Sequence, residues 1–342
     1  MIATDMDSNR IIELWEDELR RPKTEDLIVY NSLAEKDNAF GSNVEFESTS
    51  KFLGFIKYTL PKIMSDKKVI YRGVSQAKYR LFNTAQRAFM QSKGHTGKDE
   101  KLYHQSIQSM IENARNVSNG ALANFLKSTG LNDSDVSILA FLQHYGAPTP
   151  LMDWTTDIYV SLYFAVRDLT DDEIKWYFEN QNGSNIDDYF SIYILIEDHI
   201  LGKISEFTQL SLTTKTTAQY NTLRKKPFQY INERFKSGKP VFSLFNNLRI
   251  TNQKGQFIYN NSSFLPLEEV FCKKWLMFWL VNNAKGLTTA RSPIMCLNVH
   301  KSIAHAVKHE LLTENGYTDA RMFPTPEKIV EQAVPDIFKL VK

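Results

Sequence analysis

The stretch that says most about the fold is residues 141–165, FLQHYGAPTPLMDWTTDIYVSLYFA. It joins a His-Tyr-Gly turn, two prolines, an Asp-Trp-Thr-Thr cluster and an apolar run within one short span. A uniform helix or strand would repeat a single hydrophobic period, whereas this stretch sets polar groups at a chain reversal beside an apolar segment. Binding residues concentrate on such loops because rigid elements hold them in place. The stretch therefore predicts part of a ligand site between two helices.

A second punctuated element lies upstream, where residues 69–73 read VIYRG. Its β-branched and aromatic residues predict a short strand over Lys68–Tyr71 that ends in Arg-Gly. Together with residues 141–165 this element suggests a ligand site in which Arg72 is a candidate residue, and a buried structural salt bridge is the alternative role for this arginine.

Composition limits the class of protein. The chain has 342 residues, of which 42% are hydrophobic and 23% charged, so it has the make-up of an ordinary globular protein. Its formal net charge is only +2, which gives no overall electrostatic reason to expect nucleic acid or an anionic membrane as partner. The sequence leaves the oligomeric state open.

The two cysteines, Cys272 and Cys296, stand far apart and outside any CxxC spacing. The spacing therefore predicts neither a structural zinc site nor a disulfide framework. The first residues, MIATDMDSNRIIELWEDELRR, lack the basic start and apolar core of a signal peptide. We therefore expect a soluble, cytoplasmic protein without a membrane span.

Helical and strand patterns are mixed along the chain without strict βαβ alternation, which predicts an α+β fold. We expect one mixed domain with a central, partly antiparallel sheet flanked by helices. The predicted helices are 48–64, 101–127, 133–143, 159–166 and 302–314, the last of them closed by Asn315-Gly316. The predicted strands are 68–71, 191–196 and 294–299, with a kinked strand or hairpin over 247–259.

The domain organisation follows from shifts in composition. Residues 1–47 are predicted to form an N-terminal helical and extended segment, with a first helix beginning at Ile11. Residues 48–342 are predicted to form the main domain. An acidic, amide-rich excursion at about 168–188 is expected to be a surface insertion.

Five blocks of this sequence together resemble the FRG domain, a family named for an aromatic-Arg-Gly motif. They are Tyr71-Arg72-Gly73, the LQHYGAPTPLMDWT block at 142–155, the LYFA block at 162–165, a Gln-x-Gly-x-Phe element at 253–257 and a closing segment from Gly316-Tyr317 to Met322-Phe323-Pro324. The resemblance covers roughly residues 50–335. Pro150 and Met152 stand where the family more often has Arg and Leu.

The resemblance implies a protein of bacteria or their phages, found beside defence and toxin-like genes. The order of its elements is also similar to the Arg, then Ser/Thr, then Glu layout of ADP-ribosyltransferases, so an ADP-ribosyltransferase-like core and NAD as ligand are expected. No metal is expected. The implied partners are a nucleotide-type small molecule and, for transfer, a protein acceptor.

The resemblance assigns a role to each candidate residue. Arg72 would bind phosphate or ribose oxygens through two parallel N–H donors, while Thr155 or Thr156 would hold the nicotinamide ribose. Tyr145 or Trp154 would stack on the nicotinamide, and Gln253 falls near the catalytic glutamate position. The residues Tyr71, Gly73 and Asp153 complete the expected ligand-binding set.

Gln253 is the weak point of that assignment, because an amide cannot supply the charge of a carboxylate. The nearest acidic alternatives are Glu197, Glu268 and Glu269. The chain is then either an unusual NAD glycohydrolase or ADP-ribosyltransferase, or a non-catalytic module that senses a nucleotide or binds a protein.

Another interpretation is a hydrolase in which His144, beside Asp153, moves a proton. Asp153 alternatively caps a helix that begins near Thr155. His305 and His309 stand at i, i+4 spacing, which suits a metal on one helix face, but an amphipathic helix explains the same pattern.

Overall fold

The structure is a computed structural model. It describes residues 28–40, 43–92, 99–128, 134–180, 185–196, 209–210, 220, 228–231, 235–236, 239–240, 252–271 and 294–325. The predicted first helix at Ile11 lies outside these residues, as do Glu197 and Cys272.

The centre of the fold is a mixed sheet of eight strands. In chain order the strands are β1 (Asn43–Phe46), β2 (Val69–Val74), β3 (Leu151–Thr155), β4 (Tyr189–Ile196), β5 (Gln209–Leu210), β6 (Phe228–Ile231), β9 (Gly255–Asn260) and β10 (Ile294–His300). A separate two-stranded ribbon is formed by β7 (Phe235–Lys236) and β8 (Lys239–Pro240). The strands predicted at 68–71, 191–196 and 294–299 are thereby confirmed.

The spatial order in the sheet is β1-β10-β4-β2-β3-β9-β6-β5. The edge pairs β1/β10 and β5/β6 are parallel, and the other pairs are antiparallel. Strands β2 and β3 share a single register pair, Tyr71 opposite Thr155, although each pairs more fully with its other neighbour. The two central strands therefore part from each other beyond that pair.

Helices flank the sheet, which makes the fold α+β as predicted. They are α1 (Leu33–Phe40), α2 (Thr49–Gly54, a π-helical segment Phe55–Thr59 and Leu60–Met64), α3 (Thr84–Ser92), α4 (Glu100–Asn116), α5 (Ala121–Ser128), α6 (Asp135–His144), α7 (Ile158–Val166), α8 (Asp171–Glu179), α9 (Ala304–Ala306 and a π-helical segment Val307–Thr313) and α10 (Asp319–Met322). Short 3-10 turns lie at Val117–Gly120, Ile186–Asp188 and Lys301–Ile303. Among the described residues no helix has the length and apolar character needed to cross a bilayer.

The helices begin where side chains satisfy free backbone N–H groups. Ser134 caps α6 by accepting from the N–H of Ser137 at 3.1 Å. A capping box formed by Thr170 and Glu173 starts α8 inside the stretch expected to be an insertion. Gly316 follows α9 with a φ of 72°, the left-handed conformation expected for the residue that ends this helix.

The first described residues fold together with the sheet. Leu33 and Phe40 of α1 are buried in the core formed with β4 and β10. The buried Lys36 ammonium donates to Ser191 Oγ at 2.7 Å and to Asn298 Oδ1 at 2.9 Å. Because burial strips water from the charge, its pKa is lowered from the ordinary value. The hydrogen bonds satisfy the buried charge and tie α1 to the centre of the sheet.

Helix α7 packs directly on strand β2 at Gly73. A Cβ atom placed on Gly73 would lie 1.8 Å from the carbonyl oxygen of Ser161 and 3.1 Å from the backbone nitrogen of Ala165. Only a residue without a side chain allows the helix to approach the strand so closely. The Arg-Gly motif thus combines a polar side chain at one position with close helix–strand contact at the next.

Candidate functional site

A cavity of about 800 Å³ opens at the end of β2 where β2 and β3 part. Part of its wall comes from β2 and the following Ser75, from Asp153–Thr155 of β3 and from α7 with the two residues after it. Further lining comes from the segment 79–82, α3, the end of α6, β9 with the preceding Gln253, and the residues Ile28 and Phe323. Its volume is within the range of roughly 300–1,000 Å³ usual for small-molecule and cofactor sites.

Most of the predicted site residues meet in this cavity. Its lining includes Tyr71, Arg72, Gly73, His144, Asp153, Trp154, Thr155 and Gln253. Tyr145 and Thr156 are not among the lining residues, and the side chain of Tyr145 is 69% exposed. The roles given to these residues stay predictions, because their placement alone does not identify a ligand.

Arg72 bridges the gap between the two central strands. Its Nη1 donates to the backbone carbonyl oxygen of Asp153, while its Nε has no acceptor among the described residues. Burial lowers the pKa of the Arg72 guanidinium, and the nearby Asp153 charge partly opposes that shift. Arg72 forms no ion pair within the described part of the chain, so its charge has no direct counter-charge there.

A second arginine in the cavity was not found from the sequence. Arg87, on α3, donates from Nη1 to the carbonyl oxygen of Phe82 at 2.5 Å and forms no ion pair with any described residue. Burial lowers its pKa, and its positive charge in turn lowers the pKa of Arg72. Two mutually repelling guanidinium groups therefore line one cavity. Nothing in the pattern of α3 marks Arg87, because only tertiary packing brings this helix to the site.

The other two cavity arginines are neutralised by acidic partners. Arg80 pairs with Glu35 at 2.8 Å and with Glu269 at 2.7 Å. Arg167 lies 3.0 Å from Asp168. These pairs leave Arg72 and Arg87 as the cavity arginines without a carboxylate partner among the described residues.

Asp153 is the one exposed residue of β3, and the other four residues of the strand are buried. One of its carboxylate oxygens accepts from Gln143 Nε2 at 2.9 Å. The expectation that Asp153 caps the following helix is wrong. Residues Leu151–Thr155 continue as a strand paired with β9, so the helix begins later, at Ile158, and Asp157 caps it by accepting from the N–H of Tyr159 at 2.9 Å.

Asp157 stabilises the segment next to the site through hydrogen bonds to two other parts of the chain. Its Oδ2 accepts from Lys254 Nζ at 2.8 Å and from Tyr317 Oη at 2.7 Å. Burial alone would raise the pKa of Asp157, but these two donors and the charge of Lys254 hold it below its ordinary value. The charged aspartate thereby fixes the start of α7 against the Lys254 turn.

Thr155 and Gln253 are joined by a hydrogen bond in the wall of the cavity. The Thr155 hydroxyl donates to the carbonyl oxygen of Gln253 at 2.7 Å and accepts from the N–H of Asp157 at 3.0 Å. Gln253 Nε2 donates to the carbonyl oxygen of Met322 at 2.9 Å. In this structure both side chains hold backbone groups, and Gln253 contributes no charge.

The aromatic candidates differ in their surroundings. Trp154 is 2% exposed and packs in the core beside Ile70 and Tyr193, while its Nε1 has no acceptor among the described residues. The ring of His144 lies 6.2 Å from that of Phe257 on β9. The described residues contain no group of three or more His, Cys, Asp or Glu arranged to hold a metal, although the rings of His305 and His309 are 4.3 Å apart.

Glu268 supports the cavity wall from behind. It is fully buried, and it accepts from Tyr30 Oη at 2.7 Å and from the N–H of the lining residue Leu81 at 3.1 Å. Burial raises the pKa of Glu268 to about 7, against the opposing effect of the Tyr30 hydrogen bond. A carboxyl group with a raised pKa favours the folded state most when it is protonated. Its contribution is complete below its ordinary pKa and is lost as the pH rises through about 7.

We expect Glu268→Gln to flatten the dependence of stability on pH. The wild type should lose up to about 3 kcal/mol of unfolding free energy between pH 5 and pH 8 through this residue, whereas the variant should not. Urea unfolding of both proteins across that range measures the difference. Parallel curves for the two proteins would show that Glu268 does not titrate there.

Comparison with known families agrees with the resemblance seen in the sequence. Residues 67–173 match the family model of the FRG domain, a span that contains Arg72, Arg87, Gln143 and Asp153. No curated protein and no solved structure matches the chain.

Proposed function

Because residues 67–173 form an FRG domain, we propose that this FRG domain-containing protein binds a phosphate-bearing nucleotide, with NAD as the leading candidate, in the cavity between β2 and β3. On this proposal it acts as an NAD- or nucleotide-directed effector with an ADP-ribosyltransferase-like site. The setting that the resemblance implies, conflict between bacteria and phages with a toxin or defence role, is part of the same proposal.

The observation that carries the proposal is the pair Arg72 and Arg87. Both guanidinium groups are partly buried, and a charge that is partly removed from water is stabilised by a carboxylate or a bound anion as partner. Both arginines instead contact backbone carbonyl oxygens, and their charges repel each other. An anion between them would relieve that repulsion. A diphosphate suits the site because its oxygens can accept from two planar donor groups at once.

The rest of the lining suits a nucleotide better than a free phosphate. Aromatic side chains line the cavity beside the arginines, namely Phe82, Phe164, Phe257 and Phe323. A site for a small polar ion would need only the charged groups. A cavity of about 800 Å³ with both charged and aromatic walls is instead suited to a ligand with a phosphate part and flat rings.

The proposal leaves two outcomes for the bound nucleotide. Either the glycosidic bond to nicotinamide is cleaved, with water or a protein as acceptor, or the nucleotide is held without turnover and the domain acts as a sensor. The hydrolase alternative relies on His144, which lines the same cavity beside Phe257.

Calorimetric titration tests the binding proposal. We expect the wild-type protein to bind NAD and ADP-ribose, and to bind inorganic pyrophosphate more weakly, with affinity falling as salt rises. Arg87→Ala should weaken binding of ADP-ribose at least about tenfold through the loss of a charge-assisted hydrogen bond.

Arg167→Ala is the matched control, because Arg167 lines the same cavity but is already paired with Asp168. We expect it to change the affinity for ADP-ribose less than about threefold. Equal losses in the two variants would indicate a general effect of cavity charge and would count against a specific role for Arg87.

A further inference from the structure

We propose that Asp153 is the carboxylate that acts on the nicotinamide ribose in this site, and that Gln143 is its positioning residue. This inference rests on the proposed function, and it deepens that function by naming the group that replaces the missing glutamate. It assigns turnover, rather than binding alone, to the cavity.

The placement of Asp153 within its strand is the first argument. β3 is a central strand with neighbours on both sides, and its other four residues are buried. A charged side chain in such a strand is unfavourable for folding unless it has a partner or faces water. Asp153 is the exposed residue of this strand, lines the cavity, forms no ion pair within the described residues and caps no helix. Its carboxylate is therefore accessible to a ligand in the cavity.

The second argument is the way in which Gln143 is held. Its Oε1 accepts from the hydroxyl of Thr149, and its Nε2 donates to Asp153 Oδ2 at 2.9 Å. The hydroxyl donor at one end fixes the orientation of the amide, so that its N–H group faces the carboxylate. This arrangement restricts the rotation of the Asp153 carboxylate.

The chain of hydrogen bonds continues into the scaffold. Thr149 is fully buried, and its N–H donates to Thr84 Oγ1 at 3.0 Å, while Thr84 Oγ1 donates back to the Thr149 carbonyl oxygen at 3.2 Å. Thr84 is the first residue of α3, the helix that carries Arg87. One rigid network therefore links the carboxylate with the helix of the second arginine. A group fixed in this manner can stabilise developing charge without rearranging.

The third argument is the position of Asp153 next to Arg72. Arg72 donates to the backbone of Asp153, and the Asp153 carboxylate acts electrostatically on Arg72. If Arg72 and Arg87 hold the diphosphate, the ribose attached to it reaches the neighbourhood of Asp153. Gln253, the residue predicted for this role, is neutral and its amide is bound to Met322.

The step follows from these positions. The bond between C1′ of the ribose and the nicotinamide nitrogen breaks, and its electron pair leaves with neutral nicotinamide. Positive charge develops on C1′ and the ring oxygen, where the Asp153 carboxylate stabilises it. Water or an acceptor side chain then forms the new bond at C1′ and releases a proton to solvent. With water the products are ADP-ribose, nicotinamide and one proton.

The experiment compares nicotinamide release from NAD with binding of ADP-ribose for the same proteins. We expect Asp153→Asn to lower the release rate by at least about 100-fold while the dissociation constant for ADP-ribose changes less than about threefold. We expect Gln143→Leu to lower kcat about tenfold with little change in KM, which is the result for a residue that acts through Asp153.

Asp66→Asn is the control, since Asp66 is exposed after α2 and does not line the cavity. Its release rate should stay within about threefold of the wild type. Thermal unfolding shows whether each variant is folded. If the Asp153→Asn variant released nicotinamide at the wild-type rate, or if both aspartate variants lost the same fraction of that rate, the assignment would be overturned.

Two further results separate this inference from the proposal on which it rests. Wild-type protein that binds ADP-ribose but releases no nicotinamide would overturn the role of Asp153 and leave the binding proposal intact. Wild-type protein that does not bind ADP-ribose would overturn the binding proposal and the role of Asp153 together.

Discussion

Replacing Gly73 with alanine should destabilise the protein by about 3 kcal/mol, the upper part of the usual cost of overpacking. The added Cβ would lie 1.8 Å from the carbonyl oxygen of Ser161 and 2.8 Å from its carbonyl carbon. Both are backbone atoms of helix α7, so no side-chain rotation can relieve the clash. Either the helix or strand β2 must shift, and each forms part of the cavity wall. Urea unfolding of the two proteins measures the loss.

Gly54→Ala is the control for that substitution. Gly54 lies in helix α2 with a φ of −60°, and a Cβ there would meet nothing within 4 Å. Since alanine favours a helix over glycine, we expect this variant to gain about 0.5–1 kcal/mol. A Gly73→Ala protein as stable as wild type would show that the helix and strand are not in the close contact described above.

Arg72→Ala should weaken binding of ADP-ribose by at least about 100-fold, because removing one partner from a desolvated charge contact commonly costs several kcal/mol. The cause is twofold. The variant loses a donor for the diphosphate, and it loses the hydrogen bond that holds Asp153 at the gap between β2 and β3. Calorimetry at low salt measures the change.

Arg72→Lys separates charge from geometry. It keeps a positive charge but cannot present two parallel donors, so we expect binding about tenfold weaker than in the wild type. Arg115→Lys on α4 provides the comparison outside the cavity, because Arg115 pairs with Asp135 at 2.5 Å and does not line the site. If Arg72→Ala bound ADP-ribose as tightly as the wild type, Arg72 would not contact the ligand.

The local elements were predictable because their signals are local. The apolar run at 159–166 and the β-branched stretch at 191–196 predict their helix and strand from composition alone. The start of α7 was less predictable. The sequence pattern suggested a cap at Asp153, but the pairing of β3 with β9 extends the strand to Thr155 and Asp157 caps the helix instead.

The site was predictable only in part, because some of its residues are brought together by contacts between elements that are distant in sequence. Arg72, His144 and Asp153 stand in motifs that mark them in the sequence, and the cavity brings them together. Arg87 and the Thr149–Gln143–Asp153 chain depend on contacts between α3, α6 and β3. Long-range contacts of this kind leave no periodic pattern in a single sequence. Gln143 does stand in the block at 142–155, but the sequence does not show that its amide contacts Asp153.

A crystal structure of the protein soaked with ADP-ribose is the most direct test of the central claim, that Arg72 and Arg87 form an anion site for a nucleotide. We expect the diphosphate within hydrogen-bonding distance of both guanidinium groups, with the ribose that carries the free anomeric carbon beside Asp153. A diphosphate bound elsewhere, with the two arginines still in contact only with backbone carbonyl oxygens, would contradict it.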